Sequence, residues 1–134
     1  TLDVVVAQRL VRKICDNCRR SVSRSTASFK TPQLASVASY FPKKPFTLYE
    51  GKKCEACGYT GYKGRTAIFE FIHVTPEMQN LILRAPSTKE IWQLARKEGS
   101  TTLFEDGMEK VKTGVTTLEE LFRVAEPPSR TLDK

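Results

Sequence analysis

The sequence contains little of what most enzyme chemistry and membrane insertion require. Histidine occurs once, at His73, and tryptophan once. There is no Ser/His/Asp set and no Gly-x-Ser-x-Gly pattern, so the chain shows no catalytic machinery of its own. No apolar run approaches the roughly 20 residues of a membrane-spanning helix. The first residues also lack the basic-then-apolar order of a signal peptide. These absences favour a globular module without catalytic residues.

Cysteine is scarce as well, but its four copies occur in two identical spacings. Cys15 and Cys18 form one Cys-x-x-Cys pair, and Cys54 and Cys57 form the other. A two-residue gap places both thiols on one side of a tight turn, and two such pairs supply the four ligands of a tetrahedral Zn²⁺ site. Gly58 suits the left-handed conformation that such a turn often needs. The sequence therefore predicts a structural zinc site in a protein of a reducing compartment.

Other uses of the four thiols remain open from spacing alone. Four thiolates also bind a mononuclear iron or an iron–sulfur cluster. Two disulfides or a redox-active dithiol are further alternatives, although the paired spacing favours a shared ion. With four sulfur ligands available, His73 is not needed at the metal and is expected at the end of a strand.

The net charge of +7 is concentrated in the half of the chain that carries the cysteines. Residues 43–65 contain six basic and two acidic residues, whereas nine basic and eleven acidic residues follow from position 66 onward. A basic surface of this kind suits nucleic acid, anionic lipid headgroups or an acidic protein, and it also occurs as a merely solvated face.

The first half of the chain is predicted to contain two helices and two strands. Apolar residues at helical spacing predict a helix over residues 4–14 that leads into the first cysteine pair. The serine-rich residues 19–30 are predicted to form a mobile loop. Thr31 and Pro32 predict the start of a short helix that continues to Phe41. Strands are expected at 46–49 and 65–74.

The second half is predicted to be helical, because its start and stop signals are clear. Helix starts are indicated by a hydroxyl residue, in two cases with glutamate three residues later, and helix stops by Gly99 and Gly114. The predicted first residues or caps are Thr75, Ser87, Thr102 and Thr116 or Thr117. Residues 126–134 are predicted to be a disordered tail. The predicted fold class is α+β, with short strands around the zinc site and a C-terminal helical bundle.

Three segments resemble one protein family in the correct order. Residues 6–15, 51–70 and 103–121 look like the carboxy-terminal end of the type II secretion and type IV pilus assembly ATPases, and the likeness extends over residues 2–125. The resemblance implies a cytoplasmic hexameric motor with a RecA-like α/β domain that uses ATP and Mg²⁺. Such a motor lies at the inner membrane through its secretion or pilus machine. The cysteines at positions 15, 18, 54 and 57 match the zinc ligands of that family.

The resemblance also implies a domain organisation. Residues 1–14 would be the last helix of the ATPase core, residues 15–74 a tetracysteine zinc subdomain and residues 75–125 a helical subdomain. The family's Walker A lysine, Walker B box and histidine box lie before the equivalent of Gln8, so this chain is expected to hydrolyse no nucleotide. Retraction ATPases of the superfamily lack the cysteine pairs, which favours the assembly or secretion branch. Ala67 and Phe69 depart from the Gly and Tyr common in the family.

The leading hypothesis assigns zinc a structural role in a small polar appendage. The appendage would present a basic surface to a neighbouring ATPase subunit or to the inner-membrane platform protein, with no nucleic acid expected. The residues predicted to line that surface are Arg12, Lys13, Arg19, Arg20 and Lys63.

The alternative function is a nucleic-acid-binding zinc ribbon. It rests on the basic excess and on Tyr59, Tyr62, Lys63 and Arg65, which have the side-chain types that stack on bases and neutralise phosphates. A redox switch operating through the thiols is the third interpretation, and it requires thiolates that reagents can reach.

Overall fold

Two separate antiparallel β-ribbons and five α-helices make up the fold of residues 1–128, which are the residues that this computed structural model describes. Strand β1 (Val4–Ile14) pairs with β4 (Tyr62–His73), and β2 (Arg19–Arg24) pairs with β3 (Phe46–Gly51). The predicted α+β class is therefore confirmed, although β1 and β4, at 11 and 12 residues, are longer than the short strands expected around the cysteines.

The helix predicted over residues 4–14 is wrong, because this segment is strand β1. The register pairs Arg9 with Ile68 and Val11 with Thr66 along the whole ribbon. Apolar side chains occur on both faces of β1, so some of them fall at the three- and four-residue spacing that is typical of a helix. Val11 is buried on the inner face, whereas Val6 and Leu10 are exposed on the other. The β-branched run at residues 4–6 fits the strand better than a helix.

The predicted serine-rich loop at residues 19–30 is also corrected by the structure. Residues 19–24 form β2, and a 3-10 turn follows at Thr26–Ser28. Val22 lies opposite Leu48 of β3 in the register, so one apolar pair stabilises a strand that otherwise consists of serine and arginine. Serine weakens local strand propensity, but cross-strand pairing overrides that preference.

The region from residue 31 to residue 51 matches its prediction in part. The side chain of Thr31 caps helix α1, which covers only Pro32–Ala35, and a 3-10 turn at Ala38–Tyr40 replaces the rest of the predicted helix. Strand β3 is confirmed and extends to Gly51. Strand β4 begins earlier than predicted and ends at His73, as expected.

The four C-terminal helices have the predicted start signals. Each N-cap hydroxyl accepts a hydrogen bond from the backbone N–H three residues later, and Ser87 forms a complete capping box with Glu90. The helices are α2 (Pro76–Ile82), α3 (Thr88–Lys97), α4 (Leu103–Lys112) and α5 (Leu118–Val124). Residues 126–128 have no regular structure, and the rest of the predicted disordered tail, 129–134, lies outside the described residues. No helix between residues 1 and 128 has the length and apolar character needed to cross a bilayer.

The main apolar core lies between the inner face of the β1–β4 ribbon and helices α4 and α5. Gly107 of α4 allows a close helix crossing, because a Cβ there would lie 2.2 Å from Leu121 Cδ1. The aromatic and aliphatic side chains buried in this core come from both halves of the sequence. They are Val11, Val37, Phe41, Ile68, Phe104, Met108, Val111, Leu118 and Leu121.

Candidate metal centre

The four cysteines lie in the turns that connect the two ribbons. Cys15 directly follows β1, and Cys18 directly precedes β2. Cys54 lies three residues after β3, and Cys57 ends a 3-10 turn before β4. Because each Cys-x-x-Cys turn leads from one ribbon to the other, the two turns come together where the ribbons meet.

The four sulfur atoms have the separations of a tetrahedral metal site. All four Sγ atoms lie within 4.8 Å of one another. The Sγ–Sγ distances are 3.9 Å for Cys15 and Cys54, 4.0 Å for Cys18 and Cys57 and 3.8 Å for Cys54 and Cys57. A tetrahedron with Zn–S bonds of about 2.3 Å has sulfur atoms about 3.8 Å apart. The four thiols are free and not joined as disulfides. The donor set therefore fits a single ion of this size.

Hydrogen-bond donors surround the sulfur atoms, as expected for thiolates. The Asn17 amide donates to Cys54 Sγ at 3.2 Å. The Cys57 sulfur accepts the backbone N–H groups of Cys54 at 3.3 Å and Gly61 at 3.2 Å. Burial raises the pKa of Cys18 to about 11. Burial also opposes ionisation of Cys57, but its backbone hydrogen bonds outweigh it and lower the pKa to about 6. The thiols thus differ in how readily each ionises.

The two Cys-x-x-Cys turns are here called the first knuckle (residues 15–18) and the second knuckle (residues 54–57). The second knuckle is followed by unusual backbone geometry. Gly58 has φ +61° and the following Tyr59 has φ +62°, a left-handed pair that turns the chain away from Cys57. Gly51 and Gly61 approach each other closely through their backbones, because a Cβ on Gly51 would lie 2.3 Å from the Gly61 carbonyl oxygen. The glycines thus allow β3 and the second knuckle to pack backbone against backbone.

Three of the five predicted partner-surface residues make contacts within the chain. Arg12 donates to Glu120, Arg19 donates to the Gly114 carbonyl at 3.1 Å, and Arg20 pairs with Glu50. Their side chains nevertheless keep 41–52% of their surface exposed. Lys63 is exposed and Lys13 is half-buried.

The aromatic residues that suggested nucleic-acid binding differ in their surroundings. Tyr59 is 66% exposed. The Tyr62 ring lies beneath the Arg12 guanidinium, 4.3 Å from its carbon Cζ, and its hydroxyl is 2.7 Å from Thr117 Oγ1. One face of Tyr62 is therefore covered by the chain itself, which leaves less of the predicted stacking surface available.

The sequence analysis missed a buried carboxylate beside the knuckles. Glu120 of α5 is 2% exposed and accepts the backbone N–H of Arg12 at 2.9 Å. The guanidinium groups of Arg12 and Arg123 also bind this carboxylate, at 3.0 and 2.6 Å. Burial raises its pKa, but the hydrogen bonds from both arginines outweigh that effect and lower the pKa to about 2. Only the fold brings Arg12 and Glu120 together, since 108 residues separate them.

The fold and the site define an α+β module in which two cysteine knuckles join two β-ribbons. The sequence profile described as "Type II/IV secretion system protein" matches residues 1–123. The chain therefore belongs to this family, as its motifs had suggested.

The curated relatives carry the names of secretion and pilus ATPases. The chain is 40% identical over 118 residues to the "Type IV pilus assembly ATPase PilB" of Thermus thermophilus, a match that covers 88% of this chain and 13% of the relative. It is 35% identical over 127 residues to the protein of the same name from Pseudomonas aeruginosa, with 92% and 21% covered. It is 37% identical over 126 residues to the "Type II secretion system protein E" of Xanthomonas campestris, with 94% and 22% covered. The chain spans less than a quarter of the length of these three relatives.

Proposed function

We propose that this chain is the zinc-stabilised C-terminal part of a cytoplasmic hexameric ATPase that powers type II secretion or type IV pilus assembly. The observation that carries the proposal is the convergence of four cysteine sulfurs in a chain of this family. The relatives bear the names of assembly and secretion ATPases, which supports this branch. Hydrolysis of ATP with Mg²⁺ belongs to the parent protein, and the fragment serves as a structural and interaction module.

Zinc is the ion proposed for the four cysteines, and the surroundings of the site support a structural role for a bound ion. The cluster is buried, yet the hydrophobic contacts around Cys15, Cys18 and Cys57 are made by the cysteines themselves. A region with so little apolar area is weakly stabilised by burial, whereas a tetrathiolate zinc site supplies folding free energy directly. When bound, the ion would be held by Cys15, Cys18, Cys54 and Cys57 and would do no chemistry beyond fixing the two knuckles.

Metal analysis tests the zinc proposal directly. We expect about one zinc per chain by elemental analysis, and Cys57→Ser to reduce the bound zinc strongly. Asp16→Ser is the matched control, because Asp16 lies between the first two cysteines but contributes no sulfur. Iron in place of zinc would contradict the choice of ion, and unchanged zinc content in Cys57→Ser would contradict the site.

The proposed domain boundaries are the ones predicted from the sequence, except that residues 1–14 contain strand β1 and not the last helix of the core. Residues 1–14 belong to the ATPase core, 15–74 to the zinc subdomain and 75–125 to the helical subdomain. The outer face of the β1–β4 ribbon is formed by residues of both the first and the second of these units, and it carries exposed apolar side chains. Val4, Val6, Leu10, Phe69 and Phe71 expose 36–48% of their surface there. An apolar patch of this kind on one ribbon face marks a contact surface in the larger protein.

The basic surface around the knuckles is proposed to contact a neighbouring ATPase subunit or the inner-membrane platform protein. Exposed Lys63 is the best position to test, because its side chain makes no hydrogen bond or ion pair within residues 1–128. We expect Lys63→Glu to weaken binding to the platform protein's cytoplasmic part or assembly of the full-length ATPase. Lys97→Glu on α3 is the control. Equal behaviour of both variants would contradict the proposed surface.

A further inference from the structure

The segment from Gly114 to Glu120, here called the α5 latch, links α4 to α5 and touches every strand that enters or leaves the knuckles. At the end of β1, the Ile14 N–H donates to the Val115 carbonyl at 2.9 Å. In the opposite direction, the Thr116 hydroxyl donates to the Arg12 carbonyl at 2.8 Å. Thr116 is fully buried. The latch is thus fixed to the residues directly before Cys15.

The other three strands also contact the latch. Arg19, directly after Cys18, donates to the Gly114 carbonyl. Tyr62 at the start of β4 shares a hydrogen bond with Thr117. Tyr49 of β3 packs on Gly114 so closely that a Cβ there would lie 2.9 Å from the ring carbon Cδ2. Both ribbons therefore contact the same short segment.

The Arg12–Glu120 pair has the most hydrogen bonds of these contacts. Three hydrogen bonds join the two residues, two of them from the guanidinium and one from the Arg12 backbone. The carboxylate is almost fully buried, so displacement of β1 would leave a buried charge with fewer partners. Arg12 lies on β1, three residues before Cys15, so this contact is close in sequence to the first knuckle.

We propose that metal occupancy of the four cysteines and docking of helix α5 are coupled through the α5 latch. The two ribbons are separate sheets that meet at the knuckles, and the latch binds both, so it docks only when the knuckles hold the ribbons in their native placement. Loss of the metal releases α5 and exposes the buried side chains of Leu118 and Leu121. This inference rests on the proposed zinc site. The inference goes beyond the zinc site itself, because it makes the docking of the C-terminal helix α5 depend on the bound metal.

Hydrogen–deuterium exchange on the full zinc-loaded chain, before and after removal of zinc by a chelator, tests the coupling. We expect chelation to increase exchange at both knuckles and at residues 114–124 together, by roughly 10-fold to 100-fold, as loss of a charge-assisted hydrogen bond predicts. Residues 76–97 of α2 and α3, which take part in none of the latch contacts described above, should change little.

The reciprocal measurement uses Glu120→Gln. Since coupling between two sites is mutual, this variant should bind zinc roughly 5-fold or more weakly in competition with a chromophoric chelator, and should show fast exchange in α5 with zinc bound. Glu119→Gln is the matched control, because the neighbouring Glu119 is exposed and its loss should leave zinc affinity and exchange unchanged.

Each outcome decides the proposal. If chelation increases exchange at the knuckles but not at residues 114–124, the coupling is overturned while the zinc site stands. If no zinc binds and exchange is unchanged everywhere, both the coupling and the proposed zinc site fail. If Glu120→Gln does not fold, the exchange comparison on the unaltered chain still gives one of these results.

Discussion

The knuckle region and the α4–α5 region are stabilised by different means, although they share strands β1 and β4. In the α4–α5 region, Phe104, Met108 and Leu121 are almost fully buried against Ile68. The buried residues of the knuckle region are the cysteines Cys15, Cys18 and Cys57. The comparison teaches that apolar burial stabilises one end of the ribbons, whereas the other end has little apolar area and brings four thiols together that could bind one metal ion.

The predictions below separate these two sources of stability. The largest effect is expected from removal of the metal. Structural zinc contributes on the order of 10 kcal/mol to the folding of small zinc domains, so chelation should unfold residues 14–19 and 51–62. Hydrogen exchange across residues 10–70 measures the effect. Unchanged protection there after complete zinc removal would contradict the structural role of the metal.

Phe104→Ala should instead damage the apolar region. The side chain is 1% exposed and contacts the Tyr40 and Phe122 rings, so truncation should lower the free energy of unfolding by about 3–5 kcal/mol in urea titrations. The zinc content should be unchanged in the fraction that folds. Phe71→Ala is the control, because Phe71 is 44% exposed and its truncation should cost much less.

Glu120 lies at the junction between the two regions, and its ionisation should make the free energy of unfolding depend on pH. Its pKa falls from an ordinary 4.5 to about 2 in the folded protein, through the hydrogen bonds from Arg123 and Arg12 that outweigh burial. The folded state therefore binds this proton less readily than the unfolded state. The stabilisation is present above pH 4.5 and is lost as the pH falls towards 2, with a maximum of about 3 kcal/mol.

Urea titrations of the chain and of Glu120→Gln over pH 3–7 test this expectation. Acid also protonates the cysteine thiolates in both proteins, so only the difference between their unfolding free energies reports on Glu120. The difference in unfolding free energy should be largest near neutral pH and should shrink towards pH 3. A constant difference would show that the ionised carboxylate does not provide the stabilisation.

Two glycine substitutions should have the smallest effects, and they separate a steric clash from backbone strain. Gly51→Ala places a Cβ 2.3 Å from the Gly61 carbonyl oxygen, which should cost about 1–3 kcal/mol and weaken zinc binding. Gly58→Ala meets no atom within 4 Å but must adopt φ +61°, at a cost of about 1 kcal/mol. Equal losses in thermal unfolding would mean that β3 does not pack tightly on the second knuckle.

Local signals predicted the helical half well. Thr75, Ser87 and Thr117 cap their helices as expected, because a capping hydrogen bond joins residues only three positions apart. The cysteine spacing was informative for a similar reason, since each Cys-x-x-Cys pair forms its turn locally. That the two pairs lie together was inferred from the chemistry of metal binding, and the structure places their sulfurs within 4.8 Å.

Two of the incorrect predictions concern strands with weak local signals. Strand β1 is apolar on both faces, so its pattern did not alternate, and β2 is rich in serine and arginine. Both segments are strands because β1 pairs with β4 and β2 pairs with β3. Such pairing joins residues that are distant in the sequence. Propensity alone does not contain this information.

The sequence by itself determined the family, the two paired cysteine spacings and the starts of the four C-terminal helices, because these depend on residue identity and on spacings of a few positions. The tertiary structure alone decided that residues 4–14 form a strand, that Arg12 binds Glu120 and that the α5 latch contacts both ribbons. These features depend on groups up to 108 residues apart, and only the folded chain brings such groups within hydrogen-bond distance.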